Sequence, residues 1–344
     1  MKSFLLRMTV LASIMVGTTM TNAQVTSKLV RQYSDTISGV KSLKIDGQFS
    51  RIEITGTTGN ELIVNGKLMS DKQDDTYQIN ASNNAGEVKI NIQYPTSGWT
   101  THSGELIVSL PQNITLDITT TSGSIKLSEI SNITATLVTR SGNIDVINAN
   151  GNITTTTSTS NTHITNAKGI IKSISKTGSQ YIENIEGELE SSSSEGELKI
   201  TNVTGNVKTE STSGKQTLLK INGKTTGKAV NGAVKVSDSN GEVNMLTFAG
   251  TINIFNFKGV LNLQSTMGEQ VGSKVTLTGS STFKTTEGRI RMQTYNTKEE
   301  LTFVCKSETN FIQAKGLSKK KNLKSGKGPI VITSESTTGG QVFN

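Results

Sequence analysis

The 344-residue chain has one cysteine, three prolines, one tryptophan and only 4% aromatic residues. A single cysteine excludes an internal disulfide. Cys305 stands among Leu301, Phe303 and Val304, so it reads as a small buried hydrophobe rather than a nucleophile. So little proline suits long uninterrupted sheet, because each proline removes a ladder donor. The shortage of aromatics leaves few platforms for stacking sugar rings. The two histidines, His102 and His163, have no partners at metal-ligand spacing. The Gly-Gly-x-Gly-x-Asp pattern of calcium rolls lacks its aspartates. Past the N-terminus no apolar run approaches the roughly 20 residues of a membrane span. These absences leave no metal, no cofactor and no catalytic residue to name.

Glycine is plentiful and periodic. Gly151, Gly169, Gly187, Gly205, Gly223, Gly241 and Gly259 recur every 18 residues. A second series runs nine residues out of phase through Gly142, Gly178, Gly196, Gly214, Gly232, Gly250 and Gly268, with Ser160 filling its gap. A fixed period marks a repeat array. Between glycines β-branched residues alternate with polar ones, as in Ile144 and Val146 or Leu198 and Ile200. Period two predicts short strands with one buried face, and no amphipathic helical window interrupts them. The expectation is an all-β, single-domain parallel β-helix (β-solenoid) with 18-residue coils, right-handed by analogy with parallel crossovers. Ile144, Val146, Ile164, Ile182, Ile200, Val236 and Ile254 should face inward.

Charge tests the period. Residues 18 apart pair opposite signs at Lys168–Glu186, Lys172–Glu190, Glu190–Lys208, Glu197–Lys215, Glu210–Lys228, Lys220–Asp238 and Lys224–Glu242. His163 falls one coil above Asp145. Asn148, Asn166, Asn184 and Asn202 share the period and should form an amide ladder. The acids between Glu183 and Glu197 are largely absorbed by this ladder, which argues against a catalytic carboxylate pair.

In chain order, residues 1–23 read as a signal peptide: Lys2 and Arg7, an apolar run from Met8 to Val16, then Thr21-Asn22-Ala23 before Gln24. No cysteine follows to carry a lipoprotein anchor. Residues 24–119 form an irregular N-terminal β region, the first coils of the solenoid, with strands expected at 41–45, 49–55, 61–68, 77–81, 87–93 and 105–110. The regular 18-residue repeat occupies 120–268. Residues 269–344 hold less regular coils and a cap with a Lys-rich loop, 315–327.

That loop contains Lys315, Lys319, Lys320, Lys321, Lys324 and Lys327 without an acid. Without its two leader charges the chain has 33 basic and 27 acidic residues, a balance of +6, so these six lysines carry all of it. The rest is neutral, which argues against a nucleic-acid partner. The run is the candidate for binding an anionic surface, and Tyr94 and Trp99, in a turn ending near His102, are candidate ligand contacts.

Leu43-Lys44-Ile45, Arg51-Ile52-Glu53-Ile54-Thr55-Gly56, Val108-Ser109-Leu110-Pro111, Thr121-Ser122-Gly123-Ser124-Ile125 and Ser141-Gly142-Asn143-Ile144 follow one another along the chain. Together these motifs resemble a family of exported bacterial β-solenoid proteins, the adhesins with a domain of unknown function related to the head-GIN adhesin domain. The resemblance covers about residues 40–332. It implies a parallel β-helix at the cell envelope, in the periplasm or on the cell surface, and brings no catalytic residues. The expected function is a non-enzymatic, adhesin-like envelope protein whose partners are envelope glycan, lipid or another envelope protein. The alternatives are a carbohydrate-active enzyme on the same fold and an envelope scaffold or stress-response component.

Overall fold

The structure, a computed structural model, describes residues 27–72, 75–96 and 101–344. The signal-peptide reading of residues 1–23 and the candidate contact Trp99 lie outside them. The described residues are all-β. The N-terminal strands are β1 (Lys28–Ser38), β2 (Ser42–Gln48), β3 (Ser50–Thr57), β4 (Glu61–Ser70), β5 (Gln78–Asn84), β6 (Glu87–Gln93), β7 (His102–Pro111), β8 (Thr115–Thr120) and β9 (Ile125–Thr139). Seven strands of 14 residues follow: β10 (Ile144–Thr157), β11 (Thr162–Ser175), β12 (Gln180–Ser193), β13 (Leu198–Ser211), β14 (Gln216–Ala229), β15 (Val234–Thr247) and β16 (Ile252–Ser265). The C-terminal set is β17 (Gln270–Leu277), β18 (Ser281–Thr285), β19 (Ile290–Thr294), β20 (Leu301–Ala314), β21 (Leu317–Gly326), β22 (Ile330–Ser336) and β23 (Gln341–Phe343).

Each long strand pairs in parallel with the next at an offset of 18 residues: Ile164 with Ile182, Ile182 with Ile200. The fold is a β-solenoid. Stacking starts with β2 and β3, which lie parallel to β8 and the start of β9. Below them β6 and β7 run parallel, while β1, β4 and β5 add antiparallel edges. The expected N-terminal strands have counterparts in β2 to β7. Strand β1 had none, because its side chains are mostly exposed on both faces and show no alternation.

One coil shows why the sequence folds this way. Ile144 and Val146 point inward, the chain bends, and Ile153, Thr155 and Thr157 point inward from the second wall. The bend stays within the ladder. It sits at Asn148, whose φ is 52°, and at Gly151, φ 141°. Asparagine tolerates this left-handed conformation better than most residues. A side chain on Gly205 would put its Cβ 1.9 Å from the carbonyl oxygen of Gly187, so the glycine column is fixed by coil-to-coil approach. The asparagine column is hydrogen-bonded along the axis: Asn166 to Asn148 at 2.9 Å, Asn184 to Asn166 at 2.9 Å and Asn202 to Asn184 at 2.7 Å.

The seven residues expected to face inward are all buried. The core is not uniformly apolar, however. Thr155, Ser173, Ser191 and Thr209 stack in one buried column. Gln180, Gln216, Gln270 and Gln341 are buried as well. Gln216 Nε2 donates to the Lys228 carbonyl at 2.7 Å and to Ser211 Oγ at 2.8 Å, and its Oε1 accepts from Thr209 Oγ1 at 2.6 Å. Gln270 donates similarly, to the Lys284 carbonyl and Ser265 Oγ, but Leu263 occupies the place of Thr209 and Gln270 Oε1 has no partner.

Two stability outcomes follow from this core. Ile200→Asp places an unpaired charge between two coils and should cost about 3–5 kcal/mol, whereas Lys199→Asp on the exposed face should cost less than about 1 kcal/mol. Equal melting temperatures would contradict the inward assignment. Gln216→Leu strands a hydroxyl and a carbonyl, while Gln270→Leu also removes an orphan acceptor. Denaturant titration should find the first variant less stable than the second by about 1–3 kcal/mol, and a reversed order would show that the glutamines do not link the walls.

Candidate binding surface at the C-terminal cap

The 315–327 run expected as a loop is mostly strand. Residues 317–326 form β21, antiparallel to β20, after a turn at Lys315 and Gly316 with φ of 42° and 84°. β20 rounds a corner between Lys306 and Phe311, and β21 follows it, its own corner at Lys321 with φ 69°. On its other side β20 pairs in parallel with β22 and then with β23. β21 is therefore the outermost strand of the last coil. Leu323 is buried beside Cys305, and Phe303, Phe283 and Phe343 fill the core beneath, with ring centroids 5.6 and 5.9 Å apart. Both faces of most of β21 are exposed, which removes the alternation by which a strand is recognised.

The six lysines separate in the structure. Lys319, Lys320, Lys321, Lys324 and Lys327 are exposed, and none has a carboxylate within 4.0 Å among the described residues. Four of the coil lysines, in contrast, are paired. Lys168 meets Glu186 at 2.8 Å, Glu190 lies between Lys172 at 3.5 Å and Lys208 at 2.9 Å, and Lys224 meets Glu242 at 3.3 Å. The other three expected pairs form no bridge among the described residues. The hydrogen bond from Lys208 holds the Glu190 carboxyl below its usual range. Lys315 departs from the rest of the run. It is partly buried, its ammonium donates to the Thr294 carbonyl at 3.0 Å, and burial lowers its pKa. It fastens the hairpin turn to the coil below.

Strand register builds an outward row across the cap: Lys284, Glu335, Lys306, Asn322. Lys284 and Glu335 pair at 3.1 Å. The row floors a cleft of about 650 Å³ that also takes in Ser307, Glu308 and Lys321. With hydroxyls and cations converging, it offers donors to an anion or a polyol.

The N-terminal candidate is different from its expectation. Tyr94 is buried, sharing a hydrogen bond with Ser50 Oγ at 2.8 Å. Its ring packs against Phe49, Tyr77 and His102, and burial pushes its phenol up to about 12. It is a core residue of the first coils and is not presented to a ligand. The Tyr-Pro-Thr-Ser-Gly composition signals a turn but not which ring it tucks inward. His163 does pair with Asp145, at 3.1 Å, one coil apart. Burial pushes the Cys305 thiol up to about 11, as befits a small core residue. Among the described residues no group of three or more histidine, cysteine or acidic side chains is placed to hold a metal ion.

The division among the lysines is testable. Lys315→Met loses a partly buried charge-assisted hydrogen bond and should lower stability by about 1 kcal/mol. Lys324→Gln should leave the melting temperature unchanged. Equal losses in the two variants would contradict the separate role of Lys315.

No family model matches the chain, so the relation to the head-GIN adhesin domain stays a likeness of motif. No curated protein matches it either. Among solved structures it is similar to one described as a "putative cell adhesion protein" from Clostridium sporogenes, at 13% identity, covering 92% of this chain and 99% of that one with a TM-score of 0.22. At that score the likeness supports no statement about what this chain does.

Proposed function

We propose that the chain is an exported, non-enzymatic, adhesin-like protein of the cell envelope that attaches to a polyanionic surface through its C-terminal cap. The observation that carries this is the density of positive charge with no acid among it. Along the coils lysines are interspersed with acids, and Lys168, Lys172, Lys208 and Lys224 meet them in ion pairs. On β21, the outermost strand of the stack, four exposed lysines, with Lys327 just beyond it, stand without acidic partners among the described residues. Part of this arrangement serves the fold. Lysines on an unpaired edge oppose strand addition by another molecule. A single well-placed charge does that, however, and four on one strand exceed the need. The leader-like start of the sequence, Lys2 to Ala23, supports export. Among the described residues no helix is long and apolar enough to cross a membrane.

Attachment of this kind is electrostatic. Each lysine near an anionic surface contributes about 1 kcal/mol, and the interaction fades beyond a Debye length of about 8 Å at physiological salt. The chain from Gln24 should therefore bind phosphatidylglycerol vesicles at low salt, leave them at high salt and ignore phosphatidylcholine vesicles. The combined variant Lys319→Gln, Lys320→Gln, Lys321→Gln and Lys324→Gln should fold normally and lose the binding in a vesicle co-sedimentation assay. Undiminished binding by that variant, or no binding by the parent at low salt, would remove the cap from consideration as the attachment surface.

A further inference from the structure

We propose that the outward face of the last coil, from Arg289 across Gly340 to Phe311 and Lys320, is a binding site for a carboxylated pyranose, one sugar of an acidic polysaccharide. The site deepens the attachment reading and rests on it for its biological setting alone.

The register places these residues in one row. Arg291 pairs with Val342, Val342 with Gln313, and Gln313 with Ser318. Two residues back from Arg291, Val342 and Gln313, and two on from Ser318 in the antiparallel β21, the row reads Arg289, Gly340, Phe311, Lys320, with Arg289 and Gly340 just before β19 and β23. Ile290 N–H donates to the Gly340 carbonyl at 3.0 Å, and Phe311 faces Lys320 directly in the hairpin. Ile290 and Ile312 are buried, so Arg289 and Phe311 point to the other, outer side. A cleft of about 530 Å³ lies along this row, with Arg289 and Arg291 on one wall and Phe311 and Gln313 on the other.

Gly340 makes the hollow, and the fold does not account for it. Its φ is not in the left-handed region, and a Cβ built there would meet nothing closer than the Phe311 carbonyl at 3.9 Å. Its neighbour Gly339 is the opposite case, with a Cβ only 1.7 Å from the Gly288 carbonyl oxygen. Among the described glycines outside the left-handed region, only Gly340 and Gly59 have no contact nearer than 3.6 Å; Gly59 lies in the turn between β3 and β4, whereas Gly340 directly precedes β23 and its carbonyl accepts from Ile290 N–H. A glycine directly before β23 that neither conformation nor packing demands leaves a dent in the outer surface. The dent is two strand spacings wide between its walls, about 10 Å, which suits one pyranose ring.

The walls supply complementary chemistry. Arg291 is shared with Glu269 at 3.6 Å, whereas Arg289 has no carboxylate within 4.0 Å among the described residues. Its guanidinium fork matches a carboxylate in two parallel hydrogen bonds. Phe311 is 58% exposed and offers a ring to the C–H face of a sugar, with Lys320 beside it. Glu287 and Gln313 line the same cleft and give hydroxyl groups an acceptor and an amide. Asn310 is tied through its amide to the Thr338 carbonyl, and its backbone N–H donates to Ser307 Oγ at 3.2 Å, so the corner is set in advance.

The test uses trigalacturonic acid and its methyl ester, which keeps the rings and removes the charge, with the chain from Gln24 in a calorimetric titration. The acid should bind saturably and the ester at least about tenfold more weakly, the loss expected for a charge-assisted pair. Gly340→Thr, which fills the dent, and Phe311→Ala, which removes an exposed ring, should each weaken binding by about tenfold or more. Both should keep the parent's melting temperature and its vesicle binding. Arg289→Gln should abolish the preference for acid over ester. Equal binding of acid and ester, full binding by Phe311→Ala, or no binding of the acid by a chain that still binds vesicles would each overturn the site. Uronate binding without vesicle binding would support the site and overturn the surface-attachment reading alone.

Discussion

Everything in this molecule depends on one coil lying directly on the next. The peptide groups of successive coils hydrogen-bond at the strand spacing of about 4.8 Å, so each position meets its own counterpart 18 residues away. At the corners this approach leaves no room for a side chain. In the second glycine column the Cβ of Gly178 would lie 1.7 Å from the Ser160 carbonyl oxygen and that of Gly196 2.1 Å from the Gly178 oxygen. The open turn between coils is closed by a hydroxyl three residues before the glycine. Gly142 N–H donates to Thr139 Oγ1 and Gly196 N–H to Ser193 Oγ, both at 2.9 Å, while Ser265 Oγ donates to the Gly268 carbonyl at 2.7 Å. The same residues that look like low-complexity serine and threonine in the sequence thus satisfy backbone groups that would otherwise be buried without partners.

A stack of this kind has two open ends, and the chain treats them differently. At the N-terminal end antiparallel strands β1, β4 and β5 lie against the first coils, with Tyr77 and Tyr94 packed beneath. At the C-terminal end β20 is covered by β21, whose outer side carries lysine after lysine. An exposed edge with free N–H and C=O groups is a template for further pairing. Charge on that edge keeps a solenoid from continuing into a second molecule, and the same charge is what an anionic surface would meet.

The repeats were legible because their signal is redundant. Glycine spacing, alternation of Ile and Val, ladder charges and the asparagine column all repeat the period, and Ile144, Ile182 and Ile200 are buried as the alternation required. The failures share a physical cause. β1 and β21 have no continuous buried face, so neither alternates, and lysine with glycine reads as a loop. Gln180 and Gln216 are fully buried although glutamine marks a surface in most contexts, because hydroxyls on the facing wall satisfy them. Tyr94 stands beside Pro95 in a turn by composition, yet its ring fills the first coils. The cap cleft was illegible for a different reason. Phe311 and Lys320 lie on, and Arg289 and Gly340 directly before, four strands whose pairing breaks the 18-residue rule, so no offset in the sequence brings them together.

That break in the rule bears on where recognition can occur. In the regular coils translation by one period places like beside like, and several outward rows satisfy themselves: asparagine bonds asparagine, Lys168 meets Glu186, His163 rests 3.1 Å from Asp145. A surface whose polar groups are already paired has little to gain by exchanging those partners for a ligand's. At the cap neighbouring strands belong to different parts of the sequence, and chemically unlike residues share a row. Arg289 and Phe311 face the solvent there, and Lys320 stands next to Phe311 without an acidic partner among the described residues. The period that makes the body stable therefore repeats one chemistry along each row, and unlike groups come together where the period ends.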